Sequence, residues 1–365
     1  MKTKYKIAID ISPLNDGNST RGVGHYTQQL VLAIQNEIKT NPKYANYQID
    51  LIQNSKANIK DYDLVHYPYF DPFFLTLPNQ NDIPFLVTVH DLTPRQFKKH
   101  FPVGIRGEIK WLIQKHRLCQ AKYIITVSHY SKYVIKDLIN YPKDKIYVTY
   151  EGADNSFKPR TDQKLLAKIK DKYKLPNQFV LYIGDLNWSK NVPTLIKACQ
   201  NQKIPLVLVG SAATRKDVSS HPWNEDILWV QSKTLELQKN GLLTLTGFVP
   251  DEDLPIIFNL ATIYCQPSYA EGFGLPLIQA MQSGCPVAYS QETSIPEIMD
   301  FNGVFFNPYS QKSIELAIIS LWKDENLRQK YIELGLKRAK IFGWKYTAIQ
   351  TLAVYELALI DKNGK

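Results

Sequence analysis

The stretch EGFGLPLIQAMQSGCPV, Glu271 to Val287, sets a carboxylate just ahead of a glycine-rich turn, then becomes apolar with helical spacing. Gly272 and Gly274 permit tight backbone geometry and the close approach of a ligand. Pro276 suits the start of a helix, where its missing N–H would be unpaired anyway. The N–H groups around Gly274–Leu277, with the helix dipole behind them, would make an anion site suited to a diphosphate. Glu271, set beside that site, can accept hydrogen bonds from sugar hydroxyls. Gln279 lies about one helical turn further on and can reach the same ligand. The chemistry on offer is a grip on a phosphorylated sugar. The same residues also fit a plain strand–turn–helix with a solvent-facing glutamate, because glycine-rich turns are common, and spacing alone leaves both readings open.

Such a turn needs a strand before it and a helix after it, and the chain alternates the two along most of its length. KIAIDIS, YQIDLIQN, DLVHYP, PFLVTVHDL, YIITVS and KIYVTYEG are short runs rich in β-branched residues and tyrosine. FVLYIGD, PLVLVGS, LLTLTGFV, IYCQPS and PVAYS repeat the rhythm in the second half. Helical patterns separate many of them, as in GHYTQQLVLAIQNEI, where Leu30, Ile34 and Ile38 fall on one face. Apolar strands alternating with helices predict an α/β protein with parallel sheets covered on both faces. The polar stretch 151–164, EGADNSFKPRTDQK, is the natural boundary between two doubly wound domains. In such sheets ligands bind beyond the carboxyl ends of the strands, so chemistry is sought in the loops that follow them.

Bulk properties narrow the class. The chain has 365 residues, ample for two domains, and no apolar run long enough to span a bilayer. The start, MKTKYKIAIDISP, has no apolar leader and no small-residue cleavage site. Cys119, Cys199, Cys265 and Cys285 are too dispersed for a disulfide framework or zinc site and read as buried small hydrophobes in a reducing cytoplasm. The net charge of +10 is shared by both halves and suits anionic partners such as a nucleotide or an acidic lipid surface. No nucleic-acid motif is present.

The Glu271 segment strongly resembles the signature of retaining GT-B glycosyltransferases of family 4 (GT4), in which a glutamate, seven residues and a second glutamate follow one another. DISPLNDGNSTRGVGHYT resembles the family's glycine loop, VTVHDLTP its histidine segment, and ITVSHYSKYVIKDLI with KIYVTYEGAD the end of its first domain. LYIGDLNWSKNVPTLIKA and LTGFVPDEDLPIIFNLATIYCQPS resemble donor-domain segments, and FGWKYTAIQTL the closing helix. The resemblance implies two Rossmann-like domains facing across a cleft. These would be an acceptor domain over 1–157, with a helix about 345–362 packing back onto it, and a nucleotide-sugar domain over 158–344. It implies that Glu271 binds donor-sugar hydroxyls and that the backbone at Phe273, Gly274 and Leu275 meets sugar and diphosphate. Lys190 would neutralise the diphosphate, with Asn187 in the same loop. Position 279 would meet the ribose, and Val249 the base through its backbone. His90 would lie near the transferred sugar as a positioning residue, and Gly22 and Gly24 would line the mouth of the site. No metal and no cofactor beyond the co-substrate is implied.

Two positions depart from the commonest pattern. Gly184 is followed by Asp185 where many members carry arginine, which resembles a subset, often mannosyltransferase-like, with Gly-Asp-x-Asn in this loop. Asp185 is therefore expected to point away from a diphosphate and cap the turn, leaving the cationic load to Lys190 and Arg21. Gln279 stands where a second carboxylate is usual. A carboxamide can still bridge a diol, accepting from one hydroxyl and donating to the other.

Residues 95–122 carry eight basic side chains, Arg95, Lys98, Lys99, Arg106, Lys110, Lys115, Arg117 and Lys122, against one acid, Glu108. Ile105, Ile109, Leu112 and Ile113 share one helical face. This reads either as an amphipathic helix on an anionic membrane or as a core-packed helix with a solvated face. The leading expectation is hexosyl transfer from a nucleotide-sugar, GDP-mannose-like or UDP- or dTDP-linked, to a glycan or lipid-linked acceptor in cell-surface polysaccharide or glycolipid synthesis. It would take place in the cytoplasm or on the inner face of the membrane. The alternatives are a catalytically weak sugar-nucleotide-binding subunit and another GT-B enzyme such as an epimerase.

Overall fold

The computed structural model describes residues 4–15, 17, 22–53, 58–79 and 83–363, with side chains as far as 360. The chain divides into two compact units. Unit 1 gathers Met1–Lys98, Val103–Gly152 and Gly343–Lys365, and unit 2 gathers Lys99–Pro102 and Ala153–Phe342.

Unit 1 is built on a parallel sheet of β1 (Tyr5–Asp10), β2 (Tyr47–Ile52), β3 (Leu64–Tyr67), β4 (Phe85–Val89), β5 (Tyr123–Thr126) and β6 (Ile146–Val148). Their order is β2-β1-β3-β4-β5-β6, with Ile7 opposite Ile49 on one side and Leu64 on the other. Every residue of β3, β4 and β5 is buried, as expected for strands covered on both faces. The helix Gly22–Thr40 follows β1 and buries Leu30 and Ile34, the face read from the sequence. The helix Trp344–Asn363 belongs to unit 1, where Tyr355 is fully buried. Entry and exit of the chain meet here. A Cβ on Gly152 would lie 2.5 Å from the backbone of Gly343, so only glycine fits this crossing.

Unit 2 is built on a second parallel sheet, β7 (Val180–Ile183), β8 (Leu206–Val209), β9 (Leu243–Gly247), β10 (Ile263–Gln266), β11 (Val287–Ser290) and β12 (Val304–Phe306). The order is β12-β11-β10-β7-β8-β9. The sequence pattern did not separate β12, which is three residues long and only partly buried, so its pattern carries no clear period. Each unit is thus a doubly wound, Rossmann-like α/β layer, and together they have the GT-B element order. Among the described residues no helix is long and apolar enough to cross a membrane. Cys199, Cys265 and Cys285 are buried, but Cys119 is exposed, at the end of a helix rather than under one.

Candidate functional site

The strand order of unit 2 reverses between β7 and β10. From β7 the chain steps outward to β8 and β9, and from β10 it steps the other way to β11 and β12. A crevice opens at such a switch point beyond the carboxyl ends of the strands. The two loops that leave it are 184–191, after β7, and 267–274, after β10. They carry Lys190 and Glu271.

Lys190 Nζ donates to Glu271 Oε2 at 2.8 Å, an ion pair that joins the two loops. The other carboxylate oxygen, Oε1, accepts from Gln266 Nε2 at 2.8 Å and from Ser268 Oγ at 2.7 Å. Gln266 is oriented in turn by Tyr264, whose hydroxyl donates to Gln266 Oε1. Burial lifts the Tyr264 phenol well above its ordinary pKa, so it stays protonated and a donor. The backbone of Glu271 is fixed as well. Its N–H donates to Thr293 Oγ1 at 3.0 Å, and its carbonyl accepts from Ser294 Oγ at 2.9 Å. Ser294 also donates to the Phe273 carbonyl. The carboxylate is therefore charge-paired and preorganised, the arrangement a hydroxyl grip requires.

The turn behind Glu271 passes through Gly274, whose φ of 98° lies in the left-handed region, and opens the helix Leu275–Gln282. A side chain there would meet Leu277 at 2.9 Å besides carrying the strain of that φ. Pro276 is the second helical residue and has no N–H. The Leu277 N–H is bonded to the Gly274 carbonyl at 2.9 Å, which narrows the amides expected to meet an anion to those of Gly274 and Leu275. Phe273 is buried. Gln279 is only 7% exposed, on the same helix.

The loop after β7 is a capped turn. Asn187 Oδ1 accepts from Ser189 N at 3.0 Å and Ser189 Oγ at 2.7 Å, so its carbonyl oxygen serves the turn that presents Lys190. Asp185 is exposed, and its carboxylate accepts from the Leu186 N–H at 2.8 Å. It is engaged with its own turn, as its charge predicted. Asn191 is buried in a left-handed conformation with φ of 53°. Its side-chain amide donates to the carbonyls of Pro267 at 3.0 Å and Pro308 at 2.9 Å. It thereby ties together the loops after β7, β10 and β12. Trp188, Tyr269 and Tyr309 stack across the same three loops, at 5.0 Å and 4.8 Å between successive rings. Val249 is buried in the loop that leaves β9, two residues past Gly247, the last residue of the strand.

Unit 1 has its own switch point, between β1 and β3. Gly22 and Gly24 lie in the first turn of the helix after β1 rather than in a loop, with Gly24 buried. Arg21 falls outside the described residues. His90 directly follows β4. Its ring Nε2 lies 3.1 Å from the Pro68 carbonyl, and its Nδ1 lies 3.3 Å from Glu151 Oε1. The Pro68 carbonyl can only accept, so Nε2 is the donor in that contact, and Nδ1 faces the Glu151 carboxylate. The His90 carbonyl accepts from Ser131 Oγ at 3.0 Å. The Tyr26 ring meets the imidazole edge-on at 4.5 Å.

A neutral chain runs beneath His90. His66 is fully buried, with Nδ1 2.7 Å from the Tyr355 hydroxyl and Nε2 2.8 Å from Thr88 Oγ1. Burial, and then the neighbouring His90, push its pKa down to about 3. Thr88 continues to the Tyr26 hydroxyl at 3.4 Å.

Glu151, Gln266, Ser268, Asn191 and Ser131 carry these arrangements, and sequence reasoning gave none of them a role. Gln266 and Ser268 were within reach, five and three residues before Glu271 on the strand end that leads to it. Glu151 has only a weak signal, an acid just past an apolar strand.

Comparison with known proteins follows the same division. Residues 166–338 match the family described as "Glycosyl transferases group 1", and residues 15–157 match "Glycosyltransferase Family 4". The chain is 30% identical to O-antigen chain mannosyltransferase B of Escherichia coli, over 92% of this chain and 96% of that one. Among solved structures it resembles sucrose-phosphate synthase from Thermosynechococcus elongatus, with a TM-score of 0.76 at 20% identity, covering 98% of this chain and 100% of the other. It also resembles Anabaena HepE, solved with UDP and glucose, with a TM-score of 0.70 at 16% identity and coverage of 97% and 99%. Both structural likenesses speak to the fold.

Proposed function

The chain belongs to the group 1, family 4 glycosyltransferases of GT-B fold, and from that premise we propose that it moves mannose from GDP-mannose to a hydroxyl of a growing surface glycan, with retention at the anomeric carbon. That it is a hexosyltransferase follows from the family and its mannosyltransferase relative. The observation that supports the donor-side chemistry is the Lys190–Glu271 pair at the switch point of unit 2, beside the Gly274 helix start, and what supports mannose is the mannosyltransferase relative.

The chemistry follows from charge. Glycosyl transfer builds positive charge on the sugar ring and negative charge on the departing diphosphate. Lys190 and the amides of Gly274 and Leu275 stabilise the diphosphate, where preorganised donors matter most. Glu271 accepts from donor-sugar hydroxyls. It is a poor nucleophile, because one oxygen already takes two neutral hydrogen bonds and the other takes the Lys190 ammonium. Retention is therefore assigned to a same-face substitution, in which the leaving phosphate takes the acceptor proton. Gln279 meets the ribose and the Val249 backbone meets the base. His90, held by Glu151, positions the acceptor side. No metal is called on, since Lys190 supplies the cation.

A thermal-shift screen of GDP-, UDP-, dTDP- and ADP-sugars tests the donor, because a ligand that binds only the native state raises its apparent stability. GDP-mannose is expected to give the largest shift and to be turned over with a mannan-type acceptor. A larger shift with another nucleotide would replace the donor assignment. Tight binding without hydrolysis or transfer, across a broad acceptor panel, would replace the enzyme with a binding subunit.

A further inference from the structure

A column of aromatic rings crosses unit 2 beside the Lys190–Glu271 pair. His100 stacks on Trp188 with ring centroids 3.6 Å apart and planes 6° from parallel. Trp188 stacks on Tyr269 at 5.0 Å and 26°, and Tyr269 on Tyr309 at 4.8 Å and 20°. His100 comes from the segment 99–102, which belongs to unit 2 and is itself fastened there. Phe101 is buried, edge-on to Trp188 at 6.2 Å and to Trp223 at 5.2 Å, and Trp223 Nε1 donates to the Pro102 carbonyl at 3.0 Å. Large aromatic side chains usually stabilise by burial. Here Trp188 and Tyr269 are only half-buried, and His100 and Tyr309 are exposed, Tyr309 at 60%. Core packing therefore does not explain the column.

The column is tied to the groups that face the donor. Trp188 opens the turn that ends in Lys190, and Tyr269 stands two residues before Glu271. The Ser189 carbonyl accepts from the Tyr269 N–H at 2.8 Å, which joins the loops after β7 and β10 a second time. Tyr309 follows β12, and its own N–H donates to Asn307 Oδ1 at 2.9 Å. The Pro308 carbonyl, one residue before it, is held by Asn191. The Tyr309 ring is thus exposed and yet set in place relative to Lys190 and Glu271. An ordered ring of this kind loses little rotamer freedom when a ligand covers it.

The surroundings choose the ligand. A pyranose presents a face of C–H bonds that lies against an aromatic ring while its hydroxyls stay in water around the rim. Two other occupants fit less well. The donor base is assigned to the loop after β9, and β9 and β12 are the opposite edges of the sheet. A protein partner would need a broad patch rather than one ring.

We infer that Tyr309, seated on Tyr269 and Trp188, is an acceptor subsite, on which a sugar unit behind the reacting end of the glycan stacks. The inference rests on the glycan acceptor of the proposed function and gives it a specificity-determining residue. The test is acceptor kinetics of the full chain with GDP-mannose, using methyl mannoside and manno-oligosaccharides of increasing length. Saturation-transfer NMR of the same sugars without donor reads binding directly. Tyr309→Ala is expected to raise KM for the oligosaccharides about tenfold, with a much smaller change in kcat, and to erase the advantage of long acceptors over methyl mannoside. Tyr309→Phe should keep that advantage, because it keeps the ring. An unchanged unfolding temperature qualifies each variant. Transfer with the same length dependence in wild type and Tyr309→Ala would overturn the inference and leave the proposed function standing. Oligosaccharide binding that needs the Tyr309 ring, without transfer from GDP-mannose, would keep the subsite and remove the function. A rise in KM for GDP-mannose in place of the acceptor would overturn the inference by putting the donor on the ring. So would the absence of oligosaccharide binding by wild type in both measurements.

Discussion

Glu271 and His90 are both polar groups just past the end of a parallel strand, yet the two units hold them differently. Glu271 is held by charge. Lys190 takes one oxygen, and a relay from Tyr264 through Gln266 and Ser268 serves the other. Most of that relay lies within eight residues of chain, 264–271. His90 is held by position. Pro68, Glu151, Ser131 and Tyr26 converge on it from four separate parts of unit 1. Beneath it lies a chain of hydroxyls and a neutral imidazole. The contrast teaches a division of labour. Glu271 is set by one ion pair and a short local relay, whereas His90 is braced by several contacts from distant parts of the chain.

The sharpest way to break the comparison is at Lys190. Lys190→Ala is expected to lower kcat/KM by about 10²–10³, the usual cost of removing a preorganised donor from a departing oxyanion. Glu271→Gln should cost a similar amount. Both oxygens now face donors, so whichever site receives the amide sets N–H against N–H. Steady-state kinetics with the donor identified by thermal shift would check both. Turnover unchanged in Lys190→Ala would show that charge is not what this half supplies.

The corresponding change in unit 1 should be smaller and reversible in kind. Glu151→Ala is expected to lower kcat about tenfold by freeing one edge of the imidazole, within the range of a lost hydrogen bond to a charged group. Glu151→Gln should recover most of that loss, because its amide oxygen can take the same Nδ1 hydrogen bond. Failure of glutamine to rescue would mean that the negative charge matters, and the contrast between the units would collapse.

His66 tests the neutral support underneath. Its native pKa of about 3 lies below the unfolded value of 6.5. Between those values the unfolded chain takes a proton that the native state refuses, so stability rises with pH and is lost as pH falls through the window. The slope from one such group is about 1.4 kcal/mol per pH unit. His66→Gln, which can still meet both hydroxyls, should remove that slope. Denaturant unfolding at a series of pH values between the two limits would measure it. An unaltered slope would place a charge where burial argues for none.

Legibility followed the same division. The two parallel sheets were readable because their strands are nearly pure apolar runs, such as FLVTV in β4 and LVLV in β8. The Glu271 turn was readable because glycine and proline have few other reasons to stand at that spacing, and the ion pair to Lys190 joins two loops that were both singled out. Glu151 was not, since its partner is 61 residues away and nothing local marks an acid as buried. Ile105, Ile109, Leu112 and Ile113 of the helix Gly104–Leu118 were seen to share a face, but not that this face is exposed while Gly107, Trp111, Gln114 and Leu118 are buried. Helical periodicity shows that four residues share a face; it does not say which of two apolar faces meets the core.

Gln279 gives the finest test, because it changes one charge and little else. It is buried on the helix Leu275–Gln282, in the unit that also holds the Lys190–Glu271 ion pair. On the proposed ribose contact, a carboxylate there would accept from both hydroxyls with charge assistance, whereas the carboxamide would accept from one and donate to the other. Gln279→Glu is therefore expected to tighten donor binding by about 1 kcal/mol, or five- to tenfold in Kd. The gain would be offset in part by placing a second negative charge near the diphosphate. Titration calorimetry with the nucleotide-sugar and with the nucleoside alone separates the two effects. The ribose term appears in both titrations, and the repulsion grows with phosphate charge. No change with either ligand would place the ribose elsewhere and leave Gln279 as a buried helix residue. A gain with the nucleoside alone would confine its role to the ribose and leave the diphosphate wholly to unit 2's lysine and amides.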